Sequence, residues 1–238
     1  MMKVSVIIPT YNERENIGIL IPSIEKLLSN HKIQHEIIVV DDSSPDNTAE
    51  LARDLNKEYK NIRVLVRKEK SGIGSAIRDG YNIAKNDILL SIDSDLSFKI
   101  DDIIKLLKKI EEGYDVVVGS RHIRKSDYKA YDFNIKLKRF VSRHGNKITS
   151  SLVGIRIKDF SANFRAMKKS VWEFIETKDN TNSILLEMIV AADAKGYKVA
   201  EIPVEFRDRR YGKSKLNLFK EAPKFFSKSI AFRLKYKK

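Results

Sequence analysis

The 238-residue chain has no cysteine, which excludes disulfides, thiolate metal ligation and thiol redox chemistry and is compatible with a reducing compartment. It also lacks any apolar run approaching the roughly 18 to 20 residues that a membrane-crossing helix needs, so membrane contact is expected only at the surface. Met1-Met2-Lys3 leads straight into Val4-Ser5-Val6-Ile7-Ile8. This opening is too short and too soon polar for a secretory leader and is expected to be the first strand. There is no internal repeat and no low-complexity tract. The one tryptophan, Trp172, is expected in the core. His122 and His144 lack the spacing of metal ligands and receive no function. Acidic residues are in the minority: 32 against 46 Lys and Arg, for a net charge of +14. That surplus favours anionic partners such as nucleic acid, phosphorylated small molecules or an acidic bilayer face.

A hydrophobic content of 42% with 33% charged residues is that of a folded chain. The length suits one large α/β domain or a catalytic domain with a C-terminal appendage. Short apolar runs alternate with helical patterns through the first half, the mark of a parallel sheet built from βαβ units. The expected strands are Val4 to Ile8, Glu36 to Val40, Ile62 to Val66, Ile88 to Ile92 and Val116 to Val118. Each is almost wholly apolar, as strands covered on both faces are. Ile103, Ile104, Leu107 and Ile110 at helical spacing predict an amphipathic helix, with Asp101 and Asp102 at its start. Further helices are expected around Ile135 to Leu152 and Ile184 to Ala194, and an edge strand over Lys198 to Phe206, which carries Pro203.

Open sheets of this kind bind ligands beyond the carboxyl ends of their strands. Those ends are polar here: Pro9-Thr10-Tyr11-Asn12-Glu13, Asp41-Asp42-Ser43-Ser44-Pro45-Asp46, Lys70-Ser71-Gly72-Ile73-Gly74, Asp93-Ser94-Asp95 and Gly119-Ser120-Arg121. Asp93 and Asp95 follow a buried strand, where two hard oxygen ligands can hold Mg2+ or Mn2+ against a diphosphate. Of the adjacent Asp41 and Asp42, one is suited to accept the N–H groups of a nucleobase, whereas Asp46 and Asn47 read as turn and cap residues before a helix near Thr48. Gly72-Ile73-Gly74 is not a dinucleotide fingerprint, and a tight turn into the next helix accounts for it.

These motifs, in this order and spacing, resemble the family 2 inverting glycosyltransferases, in particular the subgroup that glycosylates polyprenyl and dolichyl phosphates. The resemblance continues through Asp159-Phe160-Ser161-Ala162-Asn163-Phe164-Arg165, Glu201-Ile202-Pro203-Val204, Phe206, Arg209 and Gly212-Lys213-Ser214-Lys215-Leu216. It implies a GT-A fold: a Rossmann-like, mostly parallel central sheet flanked by helices, as a catalytic domain over residues 1–216. The donor implied is a nucleotide sugar, GDP-mannose or UDP-glucose. The acceptor implied is a polyprenyl phosphate lipid. Carried across by position, Pro9, Tyr11, Glu13, Asp41, Asp42, Asp93, Ser94 and Asp95 would bind the donor, with Asp93 and Asp95 on the metal. Arg121, Lys138, Arg139, Ser142, Arg209 and Lys215 would face the acceptor phosphate, and Asp95, Arg121 and Arg209 would act in catalysis. Ser97 stands where many members carry a glutamine, and Ser161-Ala162-Asn163-Phe164-Arg165 replaces a Ser-Gly-Phe-Arg-like segment. The paired membrane helices that some members append are missing, which leaves room for a small membrane-anchoring partner and suggests a peripheral seat at the cytoplasmic face of a membrane.

Residues 217–238 form a basic segment with Leu218, Phe219, Phe225, Phe226, Ile230 and Phe232 among its lysines. Such a helix can lie in an anionic bilayer interface or bury its aromatics on the domain. Pro223 is expected to start or kink it. Nucleic-acid binding is the rival suggested by charge, but no nucleic-acid module is present and the four aspartates would repel phosphates without a cation. A non-catalytic nucleotide-sugar binder and a transferase extending a glycan are the other rivals. The latter usually carries a Gln-x-x-Arg-Trp signature, absent here.

Overall fold

Runs rich in Val, Ile and Leu make strands whose side chains alternate between two faces, so the sheet they build must be covered on both. The computed structural model describes residues 2–123, 126–128, 133–207 and 218–236. The first half runs β1 (Lys3–Thr10), α1 (Arg14–Asn30), β2 (Gln34–Asp41), α2 (Thr48–Tyr59), β3 (Ile62–Val66), α3 (Ile73–Ile83), β4 (Ile88–Ser91), α4 (Asp102–Glu111) and β5 (Val116–Ser120). Strands β3, β2, β1 and β4 lie side by side and parallel, with Val6 opposite Ile37 and Leu90. Val4, Val6 and Ile8 enter one core with Ile17, Leu20, Ile21 and Ile24 of α1 and Ile103, Leu107 and Ile110 of α4. Ile7, Ile38, Val40 and Leu89 face a second core with Ile77 and Tyr81 of α3. Full burial of each such side chain contributes roughly 1.5–3 kcal/mol, so this double cover fixes the sheet and the place where its strands end.

The second half adds β6 (Asp127–Tyr128), α5 (Phe133–Val153), β7 (Arg165–Lys168), α6 (Lys169–Phe174), α7 (Ile184–Ala194), β8 (Val199–Pro203), β9 (Glu205–Phe206) and α8 (Leu218–Lys235). Strand β7 was not expected from the sequence. It runs antiparallel between β4 and β5, with Ala166 opposite both Leu90 and Val117. Its apolar signal is only Ala166 and Met167, flanked by Arg165 and Lys168, too short to register as a strand. The single strand expected over Lys198 to Phe206 is broken at Val204. β8 pairs with β5 at the sheet edge, as Pro203 suggested, and β9 leaves to pair with β6.

Trp172 lies in the second core, 5.0 Å from the Tyr81 ring. Helix α8 carries Pro223 within it and packs on α5 and α7. Phe232 is buried, Lys228 pairs with Asp179 at 2.5 Å, and Lys235 pairs with Glu187 at 2.8 Å. Ile230 and Leu234 remain exposed, as do Phe140, Ile148 and Leu152 of α5. No helix among the described residues is long and apolar enough to cross a membrane.

Candidate active site

The carboxyl ends of β1, β2, β4 and β5 converge, because parallel strands in one register end at one edge. Asn12 takes a positive φ of 59° in the first loop, and its N–H donates to Ser44 Oγ at 2.9 Å. The Glu13 N–H donates to Thr48 Oγ1 and the Arg14 N–H to Asp46 Oδ2, so the loops after β1 and β2 are stitched together. Asp46 also accepts from Thr48 N–H at 3.1 Å, a bond that closes the turn before α2. Asn47, by contrast, makes no side-chain cap bond.

The two adjacent carboxylates divide. Asp41 is fully buried and accepts from Thr10 Oγ1, Ser44 N–H and Ser44 Oγ at 2.9, 2.8 and 2.5 Å, so its carboxylate holds the loop together. Asp41, expected to bind the donor, is thus buried here with its carboxylate turned inward to the loop. Asp42 faces Arg67 instead, Oδ1 to Nη1 at 2.9 Å. Burial pushes the Asp42 carboxyl above its ordinary value, with Arg67 opposing. Pro9 is buried in β1 beside Val40. The Tyr11 ring carries Lys70 Nζ at 3.8 Å from its centroid, and Glu13 accepts from Asn16 Nδ2.

Arg67 was missed from the sequence. Besides Asp42 it pairs with Asp79, Nε to Oδ2 at 3.2 Å, and donates to Ser75 Oγ at 2.5 Å and Gly72 O at 3.3 Å. One guanidinium thus ties the end of β3 to α3 and sets the side chain of Asp42. The signal was a cation directly after the apolar run of β3, one residue beyond Val66. The glycines that follow are needed for more than a turn. Gly72 has φ +96°, and a Cβ on Gly74 would lie 2.5 Å from Thr181 O and 2.7 Å from Asp179 O, because residues 179–181 press against this loop.

After β4, Asp93 Oδ1 accepts from Asn163 Nδ2 at 3.0 Å. Asp95 Oδ1 accepts from Ser97 Oγ at 2.5 Å and Ser97 N–H at 3.1 Å, helped by Leu96 at φ 60°. Ser94 is buried between them. Ser97 therefore orients the second aspartate. Among the described residues no cluster of three or more His, Cys, Asp or Glu can hold a metal. Two carboxylates nevertheless fit Mg2+ or Mn2+, which keeps its waters and takes further ligands from substrate phosphates.

On the far side, after β5, Arg121 forms a two-pronged ion pair with Asp159: Nε to Oδ2 at 2.7 Å and Nη2 to Oδ1 at 2.9 Å. Nη2 also donates to Ser161 Oγ, and the guanidinium stands 5.2 Å from the Phe206 ring. Burial acts to raise the Asp159 carboxyl, but Arg121 outweighs it and holds the group well below the usual carboxylate range. Beside the pair, His122 Nε2 meets Ser142 Oγ at 3.0 Å, which brings Ser142 of α5 to the strand end. Burial pushes the His122 imidazole down to about 4, opposed by Asp159 and assisted by Arg121, Arg139 and Arg143. Arg121, Arg139 and Ser142 are thus gathered on one side. Arg209, Lys215 and the side chain of Lys138 lie outside the described residues.

A parallel four-strand half, an antiparallel strand wedged before β5 and an acidic pair beyond β4 define a GT-A-like fold. The chain belongs to glycosyl transferase family 2, whose description matches residues 5–175. It is 38% identical over 217 residues to the dolichol-phosphate mannosyltransferase of Pyrococcus furiosus, covering 90% of this chain but 59% of that one. It is 29% identical to the polyprenol monophosphomannose synthase of Mycolicibacterium smegmatis, covering 89% of this chain and 80% of that one. Solved structures share the fold at low identity. Mannosyl-3-phosphoglycerate synthase from Rubrobacter xylanophilus superposes with a TM-score of 0.74 at 18% identity, over 98% of this chain and 74% of that one. Glucosyl-3-phosphoglycerate synthase from Mycobacterium tuberculosis, in complex with Mn2+ and UDP-glucose, gives 0.70 at 18%, over 98% and 79%.

Proposed function

We propose that this chain transfers a sugar, mannose or glucose, with inversion from a nucleoside-diphosphate donor to a polyprenyl phosphate. The carrying observation is the oriented pair Asp93 and Asp95 at the end of β4, with Arg121, Arg139 and Ser142 gathered on the opposite side. The similarity to enzymes named for dolichol and polyprenol phosphates supports the acceptor.

The chemistry follows from charge. A bound Mg2+ or Mn2+, held by Asp93 and Asp95, would supply positive charge to the departing diphosphate. Asp42, aimed by Arg67, offers an acceptor for nucleobase N–H groups, with Tyr11 and Glu13 on the neighbouring loop after β1. A phosphate monoester has a second pKa of about 6, so its oxygen is already ionised near neutrality and attacks the anomeric carbon without a protein base. The chain's own groups then align and stabilise. Arg121, locked by Asp159, presents a fixed cation edge, and Arg139 and Ser142 flank it. His122, neutral at pH 7, holds Ser142 without adding charge. Exposed Ile230, Leu234, Phe140, Ile148 and Leu152 suit a peripheral seat on the cytoplasmic face of a bilayer, where a lipid acceptor resides, with or without a small anchoring partner.

The test is a panel of nucleotide sugars with Mg2+ or Mn2+ and short polyprenyl phosphates, with products identified by mass. Transfer to polyprenyl phosphate is expected and should disappear in Asp95→Asn with folding retained. Absence of product with every donor, or full activity of Asp95→Asn, would defeat the reading. Cosedimentation with anionic liposomes checks the membrane seat, and no binding in either the full chain or with lipid acceptor present would remove it.

A further inference from the structure

Asn163 lies in the turn that leads into β7 and is 2% exposed. Its Nδ2 donates to Asp93 Oδ1 at 3.0 Å, so the opposite atom, Oδ1, must point away from that carboxylate. Oδ1 is buried and has no hydrogen-bond partner among the described residues. A buried amide oxygen in this position takes its donor from outside the protein, either a water or a ligand.

The amide is held rigidly. Arg165, fully buried, donates through Nη2 and Nε to Ala162 O at 2.6 and 3.2 Å and through Nη1 to Leu185 O at 2.7 Å. Phe164 stacks on Phe98 at 4.8 Å between centroids. The residue is thus fixed from both sides along the chain. Asn163 precedes Phe164-Arg165 at the place where the family-like segment has a glycine, which has no side chain to reach Asp93. Ser97, in place of a glutamine, secures Asp95. Each aspartate of the pair is therefore oriented by a polar neighbour.

We propose that Asn163 is a positioning residue of the cation and donor site. Its N–H fixes Asp93, and its Oδ1 accepts an O–H of the bound donor complex, from a water on the cation or a hydroxyl of the sugar. This rests on the proposed transferase reading. Groups that orient metal ligands typically change metal affinity by roughly 10- to 100-fold when removed.

The experiment measures Mn2+ binding by electron paramagnetic resonance, with UDP or GDP and then with the intact nucleotide sugar, for wild type, Asn163→Ala and Asn163→Ser. Serine keeps a small polar group but cannot span to Asp93, so a pure packing effect would spare it. Both variants are expected to bind Mn2+ at least about tenfold more weakly, with the thermal melt of Asn163→Ser close to wild type. A loss equal with nucleoside diphosphate and nucleotide sugar assigns the O–H to a cation-bound water, and an added loss only with the sugar assigns it to a sugar hydroxyl. Wild-type affinity in both variants, with unchanged donor KM, overturns the proposal while leaving the transferase reading intact. Failure of the wild type itself to bind Mn2+ with any nucleotide overturns both.

Discussion

Replacing Asp159 with Asn tests how Arg121 is held. The carboxylate is fully buried and receives Arg121 Nε, Nη2 and N–H at 2.7, 2.9 and 3.1 Å, with Ser161 N–H and Oγ each at 3.2 Å. Asparagine preserves the shape but removes the charge and turns an N–H toward a guanidinium. Breaking a buried ion pair on one side costs about 3–5 kcal/mol, because the surviving ion is left uncompensated. Against a total stability of about 5–15 kcal/mol the change is large. The carboxyl's pKa is depressed in the folded state, so its contribution is present above the ordinary aspartate value and is lost only as pH falls below it. At neutral pH the full loss should appear. Urea denaturation followed by circular dichroism measures it. Arg121→Met and the double variant complete a cycle in which the double variant should lose clearly less than the sum of the singles. A loss under about 1 kcal/mol for Asp159→Asn, or strict additivity, would refute the reasoning. Variant protein that remains folded should also show a raised KM for polyprenyl phosphate, since Arg121 is no longer locked.

Burial of His122 gives a second pH effect, which an ordinary surface histidine with the same pKa folded and unfolded would not give. Its imidazole, pushed down to about 4, takes up its proton in the unfolded chain first, so stability declines as pH drops from about 6.5 toward 4. At about 1.36 kcal/mol per pH unit the whole decline is roughly 3 kcal/mol. Urea midpoints near pH ~5 and ~7.5 should differ less in His122→Asn than in wild type, and equal differences would contradict the assignment. Gly74→Ala should lose about 1–3 kcal/mol and raise donor KM, because its Cβ meets the backbone at Asp179, Asn180 and Thr181. Melting and donor titration check this, and a melt like that of wild type would show that the two loops part easily. Arg67→Gln should raise donor KM roughly tenfold with a smaller change in kcat, as Asp42 loses its ion pair. Removing divalent cations with a chelator should stop product formation reversibly, with activity restored by Mn2+ and the thermal melt of the ligand-free protein little changed.

The parts of this molecule legible in its sequence are those encoded by near neighbours. Five parallel strands, the helices between them and Asp93-Ser94-Asp95 at a strand end all declare themselves in windows shorter than a dozen residues. Asp41, Arg67, Asp159 and Asn163 do not, because what they do depends on partners brought by the fold. Asp41 reads as a ligand until Thr10, in the neighbouring strand, takes its carboxylate. Arg121 reads as a free cation at a strand end until Asp159, 38 residues on, closes around it. Asn163 is 70 residues from Asp93. The antiparallel β7 explains why these last two were hidden together. It inserts between β4 and β5, so the turn that feeds it is delivered between the two strand ends, and seven residues from Asp159 to Arg165 reach both sides of the site. One end of that turn holds the Arg121 guanidinium and the other holds the Asp93 carboxylate, the groups proposed for the acceptor phosphate and the metal. A substitution within it should therefore disturb donor and acceptor kinetics together, whereas changes at Arg67 or Ser142 should disturb one side alone.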